Sequence, residues 1–305
     1  MKSVQVLAAL LFCFSLQARE WTSADGRKLQ AEFVSADATQ VMLNIGGKVT
    51  PVPLSRLSEA DQAYVREQSA KGAVARKIEG PFAELVTGDW ALSKHEGLPY
   101  ALYAPKDLDA AKSYPLILVL HGKSQNDENG KQVGGWMKSF LKEERFAKNP
   151  CIIIAPLCYQ PYGGTGGGWS DKPGVEAISL VKEALKSLPI DKKRVYCAGF
   201  SMGGFGTCHL INAEPRLFAA GIAVAGCTGP DTAATFKKVP LWLFHAADDA
   251  TVPVKYSRDL AEALKRDKEC QYTEYADGGH GIPPKVFETE ELHTWLFAKG
   301  QAAER

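Results

Sequence analysis

The chain carries almost no net charge: 36 Lys and Arg stand against 35 Asp and Glu, a formal +1 at pH 7. That balance supplies no long-range field to gather nucleic acid or an anionic membrane, so neither is expected as a partner. Cysteine is sparse, seven in 305 residues, and no pair is spaced C-x-x-C, which argues against zinc modules and thioredoxin-type redox chemistry. No two histidines share the HExxH spacing and no carboxylate cluster stands in for them, so no metal and no cofactor is expected. No apolar run approaches the roughly 20 residues of a bilayer crossing. What is present is an ordinary globular mixture, 45% hydrophobic and 23% charged. At this length a single body would bury roughly 75% of its unfolded-chain surface, which excludes disorder as the main state.

The first 18 residues read apart from the rest. Lys2 is followed by the apolar run Val6 to Leu16 and then by Leu16-Gln17-Ala18 before Arg19. A charged start, a short apolar stretch and a small residue at its end form a secretory signal peptide, and the run is too short for a spanning helix. Export to the periplasm or the extracellular space is therefore expected, with no membrane attachment after cleavage. Removal of residues 1–18 leaves a net charge of 0 and six cysteines, at positions 151, 158, 197, 208, 227 and 270. Disulfides are chemically allowed there, but Cys151, Cys197 and Cys270 lie in or beside apolar strand-like runs, where a thiol behaves as a small hydrophobe. Six cysteines permit 15 pairings, which sequence does not rank.

Residues 19–68 read as a small β unit. Short β-prone runs at Trp21-Thr22, Leu29 to Val34, Val41 to Ile45 and Val49 to Leu54 are separated by the turn signals Asp25-Gly26 and Gly46-Gly47. Ser58 then opens a short polar helix, with Asp61 three residues on in a capping position. The pattern Trp21-Thr22-x3-Gly26-Arg27-x3-Ala31-x-Phe33, with Val52-Pro53-Leu54 and Leu57-Ser58-x2-Asp61, resembles the SH3-like Sla homology domain. The resemblance implies a small barrel with a peptide or surface ligand; a module that only spaces or stabilises the remainder is the other reading. Residues 69–81, rich in Ala, Gly, Lys and Arg, read as a linker, and 300–305 as a tail.

From 82 to 299 the texture is α/β. Two strand-like segments, Glu84 to Lys94 and Tyr100 to Ala104, precede buried-strand runs at Leu116 to Leu120, Ile152 to Ala155, Val195 to Gly199, Ala220 to Ala225, Leu241 to His245 and Gln271 to Tyr275. Nearly continuous apolar strands alternating with helical stretches predict a mostly parallel sheet covered by helices on both faces. In such sheets ligands gather at the carboxyl ends of the strands.

One motif lies at such an end. The strand to Gly199 runs into Gly199-Phe200-Ser201-Met202-Gly203-Gly204, and Phe205 to Asn212 is predicted helical. A Ser on a sharp strand-to-helix turn, flanked by Gly, resembles the nucleophile elbow of the α/β-hydrolases. A helix N-cap is the plain alternative for Ser201, but a cap needs neither the flanking Gly nor the buried strand. A serine hydroxyl needs a base, and the base an acceptor that fixes its tautomer. In the resembled fold these follow in the order Ser, acid, His. His245 to Pro253 resembles its H-G-x-x-D-x-x-V-P pattern with Ala246 in place of Gly; that register implies Asp249 as the acid, with Asp248 the alternative. His280, in Gly278-Gly279-His280-Gly281 after the last strand, is the expected base. His95, His209 and His293 lie elsewhere, and the resemblance gives His121 and His245 structural roles.

The same resemblance implies an oxyanion hole from the backbone N–H of Met202 and one after Leu116 to Leu120, at Lys123 or else Gly122. Tyr159 and Trp169 flank the Gly-rich run Gly163 to Gly168, read either as a substrate-binding flap or as a plain loop. With no Lys-Ser/Thr after it, that run is a poor phosphate cradle. Leu118-x-Leu120-His121-Gly122, Ala155-Pro156-x-Cys158, Trp169 and Gly199 to Gly204 together resemble the esterase branch of the α/β-hydrolases, the polyhydroxybutyrate-depolymerase-like and feruloyl-esterase-like group also labelled predicted peptidases. The resemblance spans residues 82–299. It implies an exported serine hydrolase acting on small-molecule or polymer-linked esters; a serine peptidase of the same fold and a non-catalytic binding protein led by the front unit are the alternatives.

Overall fold

The computed structural model describes residues 18–36, 39–72, 78–123, 128–160 and 168–300. The signal segment up to residue 17, Ser124, Tyr162, most of the Gly-rich run, the middle of the expected linker and the tail from 301 lie outside the described residues. Contacts divide the chain into two compact units at Val74 and Ala75.

The first unit holds β1 (Arg19–Thr22), β2 (Lys28–Ala36), β3 (Gln40–Ile45) and β4 (Lys48–Pro53) in an antiparallel sheet of sequential order, followed by α1 (Glu59–Gly72). Alternate residues point inward, so Trp21, Ala31, Val41 and Leu43 form a small core that Leu57 and Val65 complete. The Trp21 indole N–H donates to the Ala31 carbonyl at 3.0 Å, which keeps its polar edge satisfied inside that core. Ser58 Oγ accepts the Asp61 N–H at 3.2 Å, as a capping residue does. The Asp61 carboxylate in turn accepts from Arg19 and from the Thr22 backbone, both at 2.6 Å, and so ties α1 to β1.

The second unit is built on an eight-stranded sheet. Its strands are β5 (Trp90–His95), β6 (Leu98–Tyr103), β7 (Tyr114–Leu120), β8 (Ile152–Pro156), β9 (Ile190–Phe200), β10 (Ala220–Val224), β11 (Leu241–Ala246) and β12 (Gln271–Tyr275). Their spatial order is β12-β11-β10-β9-β7-β8-β6-β5; β7 to β12 pair in parallel, and β6 and β5 add an antiparallel margin. Between them run α2 (Glu143–Lys148), α3 (Lys172–Ser187), α4 (Met202–Ala213), α5 (Ala233–Phe236) and α6 (Lys255–Leu264), with α7 (Pro283–Phe287) and α8 (Glu290–Phe297) at the end.

Every residue of β7, β8, β10 and β11 is buried, as continuous apolar runs predict for strands covered on both faces. The period of two divides them between two cores: Leu116, Leu118 and Leu120 join one, Ile117 and Val119 the other. Full burial of such a side chain contributes about 1.5–3 kcal/mol. Helix α3 shows the matching helical period, with Ala177, Leu180, Val181 and Ala184 buried.

The expected strand from Glu84 is shorter than its composition suggests. Residues 83–85 form a 3₁₀ turn and the strand begins at Trp90, because Gly88 intervenes at φ +82°, a left-handed conformation that breaks an extended run. The chain lays β8 on one side of β7 and β9 on the other, so the loops leaving β7 and β9 open beside each other at the carboxyl edge.

Candidate active site

Strand β9 ends at Phe200 and α4 begins at Met202, leaving Ser201 alone in the turn at φ 55°, ψ −118°. A non-glycine residue there costs about 1–3 kcal/mol and persists only where its surroundings hold it. The Ser201 N–H donates to the Val224 carbonyl at 2.8 Å, and its own carbonyl accepts from Phe205 N–H at 3.1 Å. The turn is tight enough to demand glycine on either side: a Cβ on Gly199 would lie 2.0 Å from the Gly203 carbonyl oxygen, and one on Gly203 would lie 1.9 Å from that of Leu120.

Ser201 Oγ is 2.9 Å from His280 Nε2, and His280 Nδ1 is 2.7 Å from Asp249 Oδ2. An ionised carboxylate only accepts, so the proton sits on Nδ1, and Nε2 is left to accept the Ser201 hydroxyl. The side chain of Asp249 is fully buried, while that of His280 is 22% exposed and so within reach of solvent. Burial alone would raise the Asp249 carboxyl, but the His280 bond and the amides of Val252 and Thr251 outweigh it and hold it below the usual range. Those amides donate to Oδ1 at 2.8 Å from Thr251 and 2.9 Å from Val252. The three groups come from the ends of β9, β11 and β12, strands far apart in sequence that open on one edge.

A cavity of about 390 Å³ adjoins this row, lined by Gly122, Lys123, Phe200, Met202, Phe205 and Val252 together with Ser201 and His280. Phe200 and Phe205 give the cavity an aromatic side, and Tyr256, outside the lining, packs edge-on against Phe205 at 5.8 Å. A cavity of similar size, about 420 Å³, lies by Leu243, Arg258 and Cys270. It brings no nucleophile to a base: its Cys270 thiol is pushed up to about 11 by burial.

Of the two residues expected to supply oxyanion donors, Met202 opens α4, where the first N–H groups have no partner within the helix, and Lys123 follows β7. His121 holds the second loop. The Cys158 N–H donates to His121 Nε2 at 2.9 Å, so the ring proton is on Nδ1, 2.6 Å from the Gly122 carbonyl. Burial pulls this imidazole down to about 4, against the opposing pull of the Gly122 carbonyl, so the ring is neutral at pH 7.

The expected flap residues are placed differently. Trp169 is fully buried, its indole N–H donates to the His121 carbonyl at 3.2 Å, and it does not line the cavity. The reason lies in α4: a Cβ on Gly206 would lie 2.6 Å from that of Trp169, so the missing side chain makes the slot the indole fills. Trp169 therefore supports the loop after β7 through the His121 carbonyl and does not line the cavity. Tyr159 is 36% exposed, but its hydroxyl is bound to Glu176 at 2.7 Å and it lies outside the cavity lining.

Two further residues belong to the arrangement. Asp248, the alternative acid, accepts the N–H groups of Gly278 at 3.3 Å and Gly279 at 2.8 Å, which fastens the loop carrying His280. His245, wholly buried, lies 3.3 Å from Asp249 Oδ2 and 2.7 Å from Ser257 Oγ. Ser257 had no signal in the sequence, since it is a small polar residue on α6. All six described cysteines are free thiols. Among the described residues no group of three or more His, Cys, Asp or Glu is placed to hold a metal ion, and no helix is long and apolar enough to cross a membrane.

Comparison with known proteins agrees with this architecture. The family model described as phospholipase/carboxylesterase matches residues 175–296, which contain Ser201, Asp249 and His280. A solved structure, a thermostable esterase, superposes at a TM-score of 0.63 with 30% identity, over 71% of this chain and 64% of that one. The fold is that of the α/β-hydrolases. Among curated relatives, a bifunctional acetylxylan esterase/xylanase of Neocallimastix patriciarum is 28% identical over 214 residues, 68% of this chain and 29% of that protein. A probable feruloyl esterase C of Aspergillus niger is 28% identical over 186 residues, 57% of this chain and 63% of that protein. The chain thus spans less than two thirds of the length of these relatives.

Proposed function

We propose that this α/β-hydrolase is an exported serine esterase that cleaves carboxylic esters through an acyl-enzyme. The observation that carries the reading is the unbroken hydrogen-bonded row Ser201, His280, Asp249 beside an accessible cavity. In the proposed sequence Ser201 Oγ attacks the ester carbonyl carbon while His280 Nε2 takes the hydroxyl proton. The tetrahedral oxyanion is held by the amides of Met202 and Lys123, each such donor being worth about 2.7–4 kcal/mol. Collapse expels the alcohol, which receives the proton from His280. Water, deprotonated by the same nitrogen, then displaces the acyl group from Ser201. Asp249 holds the imidazole in the required tautomer and stabilises its charged form.

The named relatives act on acetylxylan or are described as feruloyl esterases. Carbohydrate-linked acyl esters are accordingly the substrate class we propose. The aromatic side at Phe200 and Phe205 suits a flat acyl group. Export rests on residues 1–18, and a peptide or surface ligand for the front unit rests on its resemblance to an SH3-like domain.

The test is a panel of short acyl esters, long acyl esters, feruloyl esters and aminoacyl anilides, run on the wild type and on Ser201→Ala. Turnover of acetyl or feruloyl esters that vanishes in the variant supports the reading. Faster anilide than ester cleavage replaces it with a peptidase, and wild-type turnover by Ser201→Ala removes the nucleophile.

A further inference from the structure

His245 lies near the carboxyl end of β11 with no exposed surface, where a polar ring is stabilised by a partner at each nitrogen. Its Nε2 is 3.0 Å from the Val252 carbonyl oxygen and 3.3 Å from Asp249 Oδ2. A carbonyl and a carboxylate can only accept, so Nε2 bears the proton, donates it to the Val252 carbonyl and faces the Asp249 carboxylate. Nδ1 is then bare, and its neighbour at 2.7 Å, the Ser257 hydroxyl on α6, donates to it. Turned the other way, the ring would set a lone pair against two oxygens.

The arrangement completes Asp249. Its Oδ1 accepts the Thr251 and Val252 amides and its Oδ2 accepts His280 Nδ1–H, while His245 Nε2 stands 3.3 Å from the same Oδ2. Three hydrogen bonds and the facing His245 N–H thus surround the carboxylate from three directions and resist its turning. The same Nε2–H reaches across the turn to Val252, so the loop bearing the acid is closed onto the strand it leaves.

We infer that His245 is a positioning residue for the hydrolytic reaction: its Nε2–H, fixed in that tautomer by Ser257, aims Asp249 at His280 and offsets part of its charge. This rests on the reading of Asp249 as the acid. The titratable groups facing His245 are few. Asp249 and His280 lie on its Nε2 side; Glu274, its register partner on β12, is occupied by Arg258 and Tyr272; Cys227 contacts Ser257 at 3.8 Å behind Nδ1. Burial disfavours a charged ring here.

The experiment compares kcat and KM against pH for His245→Phe, His245→Gln, Ser257→Ala and Ser201→Ala with p-nitrophenyl acetate, alongside thermal melts. Phe removes the donor, so kcat should fall about tenfold with KM nearly unchanged, the scale of one hydrogen bond to a charged group. Asp249, less compensated, would then favour the imidazolium of His280, so the acid limb of kcat/KM should move up by about 0.5–1 pH unit. Gln places an N–H near the position of Nε2 and should restore the limb. Ser257→Ala should move it in the same direction by less, and it carries the test should the Phe variant fail to fold. An unmoved acid limb in His245→Phe and Ser257→Ala, or equal losses in the Phe and Gln variants, overturns the inference. Loss of turnover in Ser201→Ala separates that failure from failure of the serine-esterase reading.

Discussion

Asp248 and Asp249 are neighbours in sequence and hold the same histidine in two different ways. Asp249 Oδ2 binds the imidazole of His280 at 2.7 Å, while Asp248 Oδ1 binds the Gly279 N–H at 2.8 Å, one residue before it. One carboxylate addresses the ring and the other the backbone that carries the ring. Only the first is buried beside the reacting groups, although both accept backbone amides, Asp249 from Thr251 and Val252 and Asp248 from Gly278 and Gly279.

Asparagine at the two positions should therefore act differently. Asp249→Asn presents an amide that stabilises the wrong imidazole tautomer, and kcat is expected to fall on the order of 10⁴-fold with the fold intact. Asp248→Asn keeps an oxygen for the two glycine amides and should lose less than about tenfold. Steady-state rates of the two variants decide between them; a larger loss at Asp248 would make it the acid.

The strain at Ser201 leads to a second expectation. Glycine adopts φ 55° freely, so Ser201→Gly should abolish turnover yet raise stability by about 1 kcal/mol after the flexibility it adds to the unfolded chain is deducted. For a protein of this size that is a rise in melting midpoint of about 2–4 °C. A lower midpoint than wild type would place the strain elsewhere.

Gly203 should tolerate no side chain. An alanine Cβ would stand 1.9 Å from the Leu120 carbonyl oxygen, where backbone meets backbone and nothing flexible can yield. Gly203→Ala is expected to lose about 3 kcal/mol in urea unfolding and to lose activity with it, since α4 and the end of β7 must part.

Acid should weaken the fold through His121. Its imidazole is held down to about 4 by burial, against 6.5 when unfolded, so the unfolded state takes up a proton that the folded state refuses. The contribution is complete above pH 6.5 and is lost as pH falls towards 4, about 3 kcal/mol in all for 2.5 units. The buried rings of His245 and His293 are shifted in the same direction and add to it. Unfolding free energies of wild type and His121→Gln between pH 7 and 4 should show a shallower slope in the variant; equal slopes would assign the loss to the other histidines.

Much of this geometry could be read from the chain because its signals are local. Ser201 stands between a buried strand and a helix with Gly on both sides, and the loops with Asp249 and His280 each follow a recognisable strand. Other features are settled by packing across long separations. Trp169 reads as a residue of a flap or a plain loop from its Gly-rich neighbourhood, but its slot is made by Gly206 on α4, a position with no visible link to it. The pairing of His245 with Ser257 joins a strand end to a helix face, and no spacing rule connects them. Gly88 delays the start of the predicted early strand through a backbone angle that composition does not reveal.

The position of β12 has one more consequence. It is the outer strand of the parallel side, paired only with β11 and half-exposed along its length, whereas β11 is buried throughout. Outer strands open by sub-global fluctuations at lower cost than interior ones. His280 hangs from this strand, so the proposed base is delivered by the part of the sheet that loosens first. On warming, activity should fade a few degrees before far-UV dichroism reports unfolding, and on refolding it should return last.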